Sequence, residues 1–376
     1  MTYEDEINSS PHEYYMRECF ELAKNALGRT SPNPVVGAIV LDKKGFPVGK
    51  GYHKASGEEH AEVIALKEAG NKSEGGTLIV SLEPCCHHGK TPPCSDLILR
   101  SGIEEVIFSC YDPNPLIASK GEKVLSANGI KIVSKILEEE GHELNKFFFK
   151  WIKTRLPWIT LKQAQTLDGR VALNNKHFQY ISGELSRKEV HKMRNIYDAI
   201  LVGAKTVQTD NPQLTVRDIP NGRNPARIIL DMKLATSPSS NVYKNNATIF
   251  IVTKKGHPKD KLDEYFKYNE QIIFLELSDD KNGRLNLKTL FEELGKQNIL
   301  SVLVEAGPVL AGEIYSSGLL DEYILFIAPL IAGDDAGVPS VKLSVSLGET
   351  IPLGLSLLQY QKIGNDLMVN YRNLKP

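Results

Sequence analysis

The chain lacks the features that mark membrane, secreted and nucleic-acid-binding proteins. No apolar run approaches the roughly 18 to 20 residues of a membrane span, so no membrane partner is expected. The formal net charge is −1, which gives no general attraction for nucleic acid. Residues 1–10 are acidic and polar, unlike a secretory or transit signal. These absences predict a cytoplasmic protein for which polymeric nucleic acid is not the default partner, although a local basic patch remains possible.

Cysteine is scarce and unevenly placed. The chain has five cysteines, an odd number that does not suit a disulfide framework. Three of them fall between positions 85 and 94. Such clustering is typical of a metal site in a reducing compartment, which again indicates the cytoplasm.

The length and composition indicate an α/β protein of two domains. Hydrophobic residues make up 41% and charged residues 24% of 376 residues, which is typical of globular proteins. Helical and strand-like segments alternate from residue 11 to about 150, and this predicts a mostly parallel sheet with helices on both faces. We predict domains at 1–150 and 151–376, with a helical bridge over 134–155. The predicted strands are 35–41, 45–52, 77–82, 106–110, 130–133, 158–164, 199–202, 227–230, 248–252, 271–275 and 300–304, and the predicted helices are 13–27, 60–69, 122–127, 184–195, 287–296 and 309–316.

Four residues predict a catalytic zinc site. His60, Cys85 and Cys94 supply one imidazole and two thiolates for a tetrahedral zinc, which leaves a fourth position open for water. Glu62 is then free to move protons, as in the H-x-E and P-C…C pattern of zinc-dependent base deaminases. The spacing differs from the usual C-x-x-C, because eight residues separate the two cysteines. We expect each of the three ligands to begin a helix, since helix amino termini favour thiolates.

A closed, structural zinc site is the alternative. Cys86, His87 and His88 could supply a fourth ligand by count, but Cys86 directly follows a ligand and is badly placed to reach the same ion. A structural site would also have no use for Glu62. The other cysteines and histidines show no ligand spacing and are expected to be ordinary core or surface residues: Cys19, Cys110, His12, His53, His142, His177, His191 and His257.

Several motifs resemble one family, the bifunctional deaminase/reductase of riboflavin biosynthesis. The matching segments are 32–37 (PNPVVG), 60–62 (HAE), 82–94 (LEPC to TPPC), 112–115 (DPNP) and 144–147 (LNKF). The resemblance implies a cytidine-deaminase-like domain followed by a dihydrofolate-reductase-like domain. It also implies hydrolytic deamination of 2,5-diamino-6-ribosylamino-4(3H)-pyrimidinone 5′-phosphate, then NADPH-dependent reduction of the ribosyl group of the product to ribityl.

The same resemblance assigns roles in the first domain. His60, Cys85 and Cys94 are implied to bind one zinc per chain, with Glu62 as the proton shuttle. Asn33 is placed for substrate contact, and His87 sits at a family-like position. Family members form homo-oligomers, so an oligomer is expected here.

In the second domain the resemblance implies sites for NADPH and for the phosphorylated substrate. Without the resemblance, these residues could equally have structural roles, as turn residues, packing glycines and solvent-exposed arginines. Three positions depart from the family pattern. Tyr180 stands where the family usually has a tryptophan and could still stack on the cofactor, whereas Phe178 and Met232 stand where the family has serines, so that a hydroxyl is lost and bulk is added at each. The implied cofactor residues are Ala164, Tyr180, Thr206, Asp210, Gly307, Pro308, Val309, Leu310, Ala311, Gly312 and Glu313, and the implied substrate residues are Arg194, Leu214, Arg217 and Glu305.

Other functions compete with this reading. The second domain could be a non-catalytic binding or assembly module beside an active deaminase. The whole chain could instead be a zinc-stabilised binding protein without catalysis. A nucleic-acid deaminase is less expected, because the charge balance is neutral and the second domain suits a small phosphorylated ligand.

Overall fold

The computed structural model describes residues 10–86, 92–115, 118–172, 180–278, 285–333, 337–343 and 354–373. The chain divides into two units, Met1–Arg155 and Leu156–Pro376. No helix in the described ranges is long and apolar enough to cross a membrane.

The first unit is built on a five-stranded sheet in the order β2-β1-β3-β4-β5. The predicted strands are confirmed, but the sheet is more mixed than predicted. Strands β3, β4 and β5 are parallel, whereas β1 is antiparallel to both β2 and β3. A short turn causes this, because the Asp42 carboxylate accepts hydrogen bonds from the N–H groups of Lys44 and Phe46. The strands are β1 (Gly37–Leu41), β2 (Pro47–Tyr52), β3 (Thr77–Leu82), β4 (Glu105–Cys110) and β5 (Lys131–Val133).

Helices cover both faces of this sheet, as predicted. Met16 and Phe20 of α1 pack on one face, and Ala65 of α2, Ile98 of α3 and Leu125 of α4 pack on the other. The predicted bridge over 134–155 forms helices α5 and α6 within the first unit, and the predicted boundary at residue 150 falls inside α6. The helices are α1 (Pro11–Lys24), α2 (Ala61–Ala69), α3 (Cys94–Arg100), α4 (Lys120–Ala127), α5 (Glu138–Leu144) and α6 (Lys146–Thr154).

The second unit contains a nine-stranded sheet in the order β11-β10-β9-β8-β12-β6-β13-β16-β15. Its first seven strands are parallel, and β16 and β15 are antiparallel additions at one edge. The six strands predicted here are confirmed, whereas β7 and β13 to β16 were not foreseen. Strands β7 and β14 pair with each other in a separate two-stranded sheet. The strands are β6 (Trp158–Thr166), β7 (Arg170–Ala172), β8 (Ala199–Gly203), β9 (Ala226–Leu230), β10 (Ile249–Lys254), β11 (Ile272–Leu277), β12 (Ser301–Glu305), β13 (Glu322–Ala328), β14 (Val338–Pro339), β15 (Leu355–Ile363) and β16 (Asp366–Asn373).

The helices of the second unit include two that the sequence did not predict. Helices α8 (Ala204–Asp210) and α9 (Lys259–Phe266) lie in segments for which no helix was predicted. The 231–246 segment after β9 packs against the protein, because Val242 and Tyr243 are fully buried. The buried Arg227 side chain donates to the carbonyl oxygens of Val242 and Lys244, which ties that segment to β9. The helices are α7 (Glu184–Ile196), α8 (Ala204–Asp210), α9 (Lys259–Phe266), α10 (Leu287–Lys296) and α11 (Pro308–Ser316).

Candidate functional site

The three predicted zinc ligands converge in the first unit. The Nδ1 atom of His60 lies 3.1 Å from the Cys94 sulfur and 3.6 Å from the Cys85 sulfur. The three ligand atoms all lie within 4.8 Å of one another. Among the described residues they form the only such group of histidine, cysteine and acidic side chains, and Glu62 is not a member of it.

The donor set suits zinc. One imidazole nitrogen and two sulfurs match the ligands of catalytic zinc sites. Cys85 and Cys94 share a hydrogen bond between their sulfurs. This bond, and then burial, raise the pKa of the Cys94 thiol. The same bond lowers the pKa of the Cys85 thiol more than the nearby His60 does. A cation bound between the two sulfurs would favour the thiolate form of both.

Local backbone geometry places the ligands, with one correction to the prediction. His60 is the residue that precedes α2, and α3 begins at Cys94, as predicted. No helix begins at Cys85 in the described residues up to 86. Its carbonyl oxygen accepts the N–H of Ser95 at 3.1 Å, and its sulfur accepts the N–H of Cys94 at 3.3 Å. The Cys85 carbonyl is thus bonded to α3 and not to a following helical turn. His87 and His88 lie outside the described residues.

Glu62 lies beside the metal ligands in the first turn of α2. Its side chain is 4% exposed, and burial raises the pKa of its carboxyl, with the Cys85 sulfur adding to the effect. A buried carboxyl that is protonated more easily than usual is suited to accept a proton and to return it.

His53 is a site residue that the sequence reading missed. It is buried, and its ring lies edge-on to that of His60, with centroids 5.5 Å apart. Its Nδ1 lies 3.1 Å from the Glu59 carbonyl oxygen and its Nε2 lies 3.2 Å from the Asn33 side-chain nitrogen. The carbonyl can only accept, so Nδ1 donates and Nε2 accepts from Asn33. Burial lowers the pKa of His53, which favours this neutral form. No spacing in the sequence signals this role.

Asn145 fixes the segment that carries Asn33. Its amide donates to the Val35 carbonyl oxygen and accepts the Val35 N–H, both at 2.9 Å and both buried. These two hydrogen bonds pair both backbone groups of Val35, as the opposite residue of an antiparallel strand would. The 144–147 motif therefore acts on the position of a distant part of the same site.

Glycines in β2 bring α2 close to the sheet. A Cβ atom on Gly51 would lie 2.5 Å from the Ala61 carbonyl oxygen, and one on Gly49 would lie 2.1 Å from that of Ala65. Larger residues at either position would push the helix outward. This close approach sets the position of His60 and Glu62.

A second cluster lies at the carboxyl end of β12 in the second unit. The Arg194 guanidinium forms two parallel hydrogen bonds with the Glu305 carboxylate, at 2.7 and 2.9 Å. Its Nη1 donates to the Thr215 carbonyl oxygen at 3.2 Å. The Arg194 guanidinium, an implied substrate residue, is thus bonded to Glu305 and to the backbone of Thr215.

Lys162 joins this cluster and was not predicted. It stands beside Glu305 in the register of β6 and β12, and burial lowers its pKa, which the Glu305 charge opposes. Burial alone would raise the pKa of Glu305, but Arg194 and then Lys162 outweigh it and bring the pKa to about 2. A lysine inside the predicted strand 158–164, in a parallel sheet covered on both faces, was the available signal.

The other two implied substrate residues lie on the segment after α8. Leu214 is buried and has a positive φ of 53°, so its backbone is better placed than its side chain to meet a ligand. Arg217 is exposed and donates from Nη1 to Gln213 Oε1 at 3.1 Å and to Thr215 Oγ1 at 3.2 Å. It is the accessible arginine of the predicted pair.

The implied cofactor residues cluster at the ends of parallel strands. Ala164 lies in β6 and Thr206 and Asp210 lie in α8, which follows β8 directly. Burial raises the pKa of the Asp210 carboxyl. Tyr180 is 57% exposed, and the Arg187 guanidinium lies 4.6 Å from its ring centroid. Its free ring area suits stacking on a planar group.

Helix α11 contributes the remaining cofactor positions, from Gly307 before its first turn to Glu313. No side chain of the described residues caps its amino end, which leaves backbone N–H groups for a phosphate. A Cβ on Gly312 would lie 2.1 Å from the Lys342 carbonyl oxygen, so this glycine is required for packing. Met232 packs beside the core, and Phe178 lies outside the described residues.

Each of the two units matches a known protein family. Residues 9–110 match the family described as cytidine and deoxycytidylate deaminase zinc-binding region, and residues 157–369 match the RibD C-terminal domain. The chain is therefore a two-domain enzyme, a cytidine-deaminase-like zinc deaminase joined to a reductase with a dihydrofolate-reductase-like fold. The second match does not favour a non-catalytic role for the second unit.

Full-length relatives make the assignment specific. The riboflavin biosynthesis protein RibD of Aquifex aeolicus is 40% identical over 365 residues, which cover 95% of this chain and 97% of the relative. The structure of Acinetobacter baumannii RibD (form 1) matches with a TM-score of 0.85 at 32% identity, over 97% of this chain and 99% of that one. A Thermotoga maritima structure, titled diaminohydroxyphosphoribosylaminopyrimidine deaminase/5-amino-6-(5-phosphoribosylamino)uracil reductase, matches with a TM-score of 0.84 at 36% identity, over 96% and 99%. The chain belongs to the RibD family, the bifunctional zinc- and NADPH-dependent deaminase/reductase of riboflavin biosynthesis.

Proposed function

We propose that residues 1–155 carry out the deamination and residues 156–376 the reduction. The first step hydrolyses the 2-amino group of 2,5-diamino-6-ribosylamino-4(3H)-pyrimidinone 5′-phosphate. The second reduces the ribosyl group of 5-amino-6-(5-phosphoribosylamino)uracil to ribityl. The convergence of His60, Cys85 and Cys94 within 4.8 Å, beside a carboxylate outside that group, is the observation that carries the deaminase assignment.

In the deaminase site His60, Cys85 and Cys94 hold the zinc. When bound, zinc acidifies a water molecule so that hydroxide is available at neutral pH. Glu62 takes the proton from the attacking water and delivers it to the departing amine, which its raised pKa favours. Asn33 contacts the pyrimidine, and the neutral His53 orients its amide through the 3.2 Å contact.

In the reductase site the substrate lies between Glu305 and Arg217. Arg194 and Lys162 keep Glu305 ionised, as its pKa of about 2 indicates, and the ionised carboxylate accepts hydrogen bonds from ribosyl hydroxyls. Arg217 binds the 5′-phosphate as a charged fork, with the Leu214 backbone beside it. NADPH supplies the hydride and is bound by Ala164, Tyr180, Thr206, Asp210 and the amino end of α11, residues Gly307, Pro308, Val309, Leu310, Ala311, Gly312 and Glu313.

The location and the assembly belong to the same proposal. The five cysteines, with three at one metal site, suit a reducing compartment, which supports the cytoplasm. Small phosphorylated pyrimidines are the partners, and a homo-oligomer follows from the resemblance to the family.

A pair of assays on one variant tests the assignment of the two activities. Cys85→Ser removes a zinc ligand, so ammonia release from the diamino substrate should be lost together with bound zinc. NADPH oxidation with the supplied deaminated nucleotide should continue, since its residues all lie in the second unit. Arg217→Ala should instead lower NADPH oxidation with the nucleotide and leave bound zinc and ammonia release unchanged. Loss of both activities in both variants, with folding intact, would contradict the division.

A further inference from the structure

One buried histidine contacts both the accessible arginine of the reductase site and the segment that carries it. His191 lies in α7 and is 9% exposed. Its Nδ1 lies 3.1 Å from the Thr215 carbonyl oxygen, and its Nε2 lies 3.4 Å from Nη2 of Arg217. The imidazole therefore bridges α7 and the 213–217 segment.

Hydrogen-bond chemistry fixes the form of this imidazole. The Thr215 carbonyl can only accept and the Arg217 guanidinium can only donate. A proton on Nδ1 and a lone pair on Nε2 satisfy both contacts. In the other tautomer, the Nε2–H would face an N–H of the Arg217 guanidinium, and the Nδ1 lone pair would face the Thr215 carbonyl oxygen. That tautomer would keep only the 3.3 Å hydrogen bond from the Arg217 backbone N–H to Nδ1. The imidazolium would lose the Arg217 contact as well.

The surrounding charges favour the neutral form. Burial, then the guanidiniums of Arg194 and Arg217, lower the pKa of His191, while the Thr215 carbonyl and the more distant Glu305 oppose this. Nη1 of Arg194 donates to the same Thr215 carbonyl. Arg194 and His191, both in α7, thus hold the Thr215 backbone. Of these two side chains, His191 also contacts the Arg217 guanidinium.

We propose that His191 is a positioning residue for phosphate recognition, because its neutral imidazole accepts a hydrogen bond from Arg217 and holds that guanidinium toward a nucleotide 5′-phosphate. The inference rests on the proposed reductase function. Without His191, Arg217 keeps its contacts with Gln213 and Thr215 but loses the acceptor for its second terminal nitrogen. The ligand class is a phosphomonoester, and the specificity at stake is that for phosphorylated over phosphate-free substrate.

The test compares two substrates of the reductase, the deaminated nucleotide and its dephosphorylated riboside. The measured quantity is the ratio of their kcat/KM values in the full-length protein. His191→Leu should lower this ratio about tenfold, the effect of losing one hydrogen bond to a charged group, through a higher KM for the nucleotide. His191→Gln should recover most of the ratio, because its amide can both donate and accept.

Two further variants separate the possible failures. Val190→Ala removes buried volume from the same helix and should leave the ratio unchanged, which excludes a mere packing effect. Arg217→Ala should lower the ratio and raise the inhibition constant of inorganic phosphate, and adding His191→Leu should lower the ratio little further. If Arg217→Ala lowers the ratio but His191→Leu does not, the His191 inference is wrong and the phosphate assignment stands. If neither lowers it, both are wrong.

Discussion

Replacing Glu305 with glutamine removes the carboxylate that Arg194 binds through two hydrogen bonds and that lies beside Lys162. The side chains of Arg194 and Glu305 are only 12% and 16% exposed, so water screens the pair weakly. The pKa of Glu305 falls from 4.5 to about 2, which corresponds to about 3 kcal/mol at roughly 1.4 kcal/mol per pH unit. Removing one partner of a buried pair costs about 3 to 5 kcal/mol in other proteins. We expect Glu305→Gln to lower the free energy of unfolding of the second unit by about 3 kcal/mol at pH 7.

The loss should depend on pH in a defined direction. A carboxyl whose folded-state pKa lies below its unfolded value stabilises the fold above the unfolded pKa, and this contribution is lost as pH falls through the folded pKa. For Glu305 the window runs from about 4.5 down to about 2. The difference between wild type and Glu305→Gln should thus be constant above about pH 5 and shrink below it.

Tryptophan fluorescence can follow the second unit alone. The chain has two tryptophans, and Trp151→Phe leaves Trp158 in β6 as the single reporter during urea unfolding. Glu292→Gln is the matched control, because Glu292 is 47% exposed and 4.0 Å from Lys288, an exposed pair worth about 0.5 kcal/mol at most. Equal stability of wild type and Glu305→Gln at pH 7, or a difference that does not change down to pH 3, would refute the reasoning.

Two other substitutions test how the deaminase site is positioned. Gly51→Ala places a Cβ 2.5 Å from the Ala61 carbonyl oxygen and should lower the free energy of unfolding of the first unit by about 1 to 3 kcal/mol. Zinc content and ammonia release should fall, while NADPH oxidation should not change. In the control Gly354→Ala the new Cβ meets no atom within 4 Å, so neither activity should change. Asn145→Ala leaves the Val35 N–H and carbonyl buried without partners and should cost about 2 to 4 kcal/mol in chemical denaturation of the first unit, so a loss below 0.5 kcal/mol would contradict its role.

Most strands and most helices were predictable because their burial is periodic or continuous. Segment 77–82 was predicted as a strand with the bounds that the structure gives, and 287–296 likewise as a helix. Both are runs in which apolar residues mark a buried face. The antiparallel edge strand β15 was missed because most of its residues are exposed, and an edge strand of this kind shows no buried periodicity.

The metal ligands were predictable because zinc chemistry restricts both residue type and spacing. His53, His191 and Lys162 were not, because their roles depend on neighbours that are remote in sequence. His53 contacts Asn33, and His191 contacts Arg217. A histidine that bonds to a carbonyl and to one distant side chain leaves no local pattern.

The zinc content and ammonia release of Glu62→Gln test the central claim most directly. Glu62 lies outside the group of three ligand atoms, so the variant should keep one zinc per chain and its fold. Ammonia release should fall about 100- to 10,000-fold, the usual contribution of a general acid/base. Ammonia release near the wild-type rate by a zinc-loaded Glu62→Gln protein, or loss of zinc from it, would contradict the account.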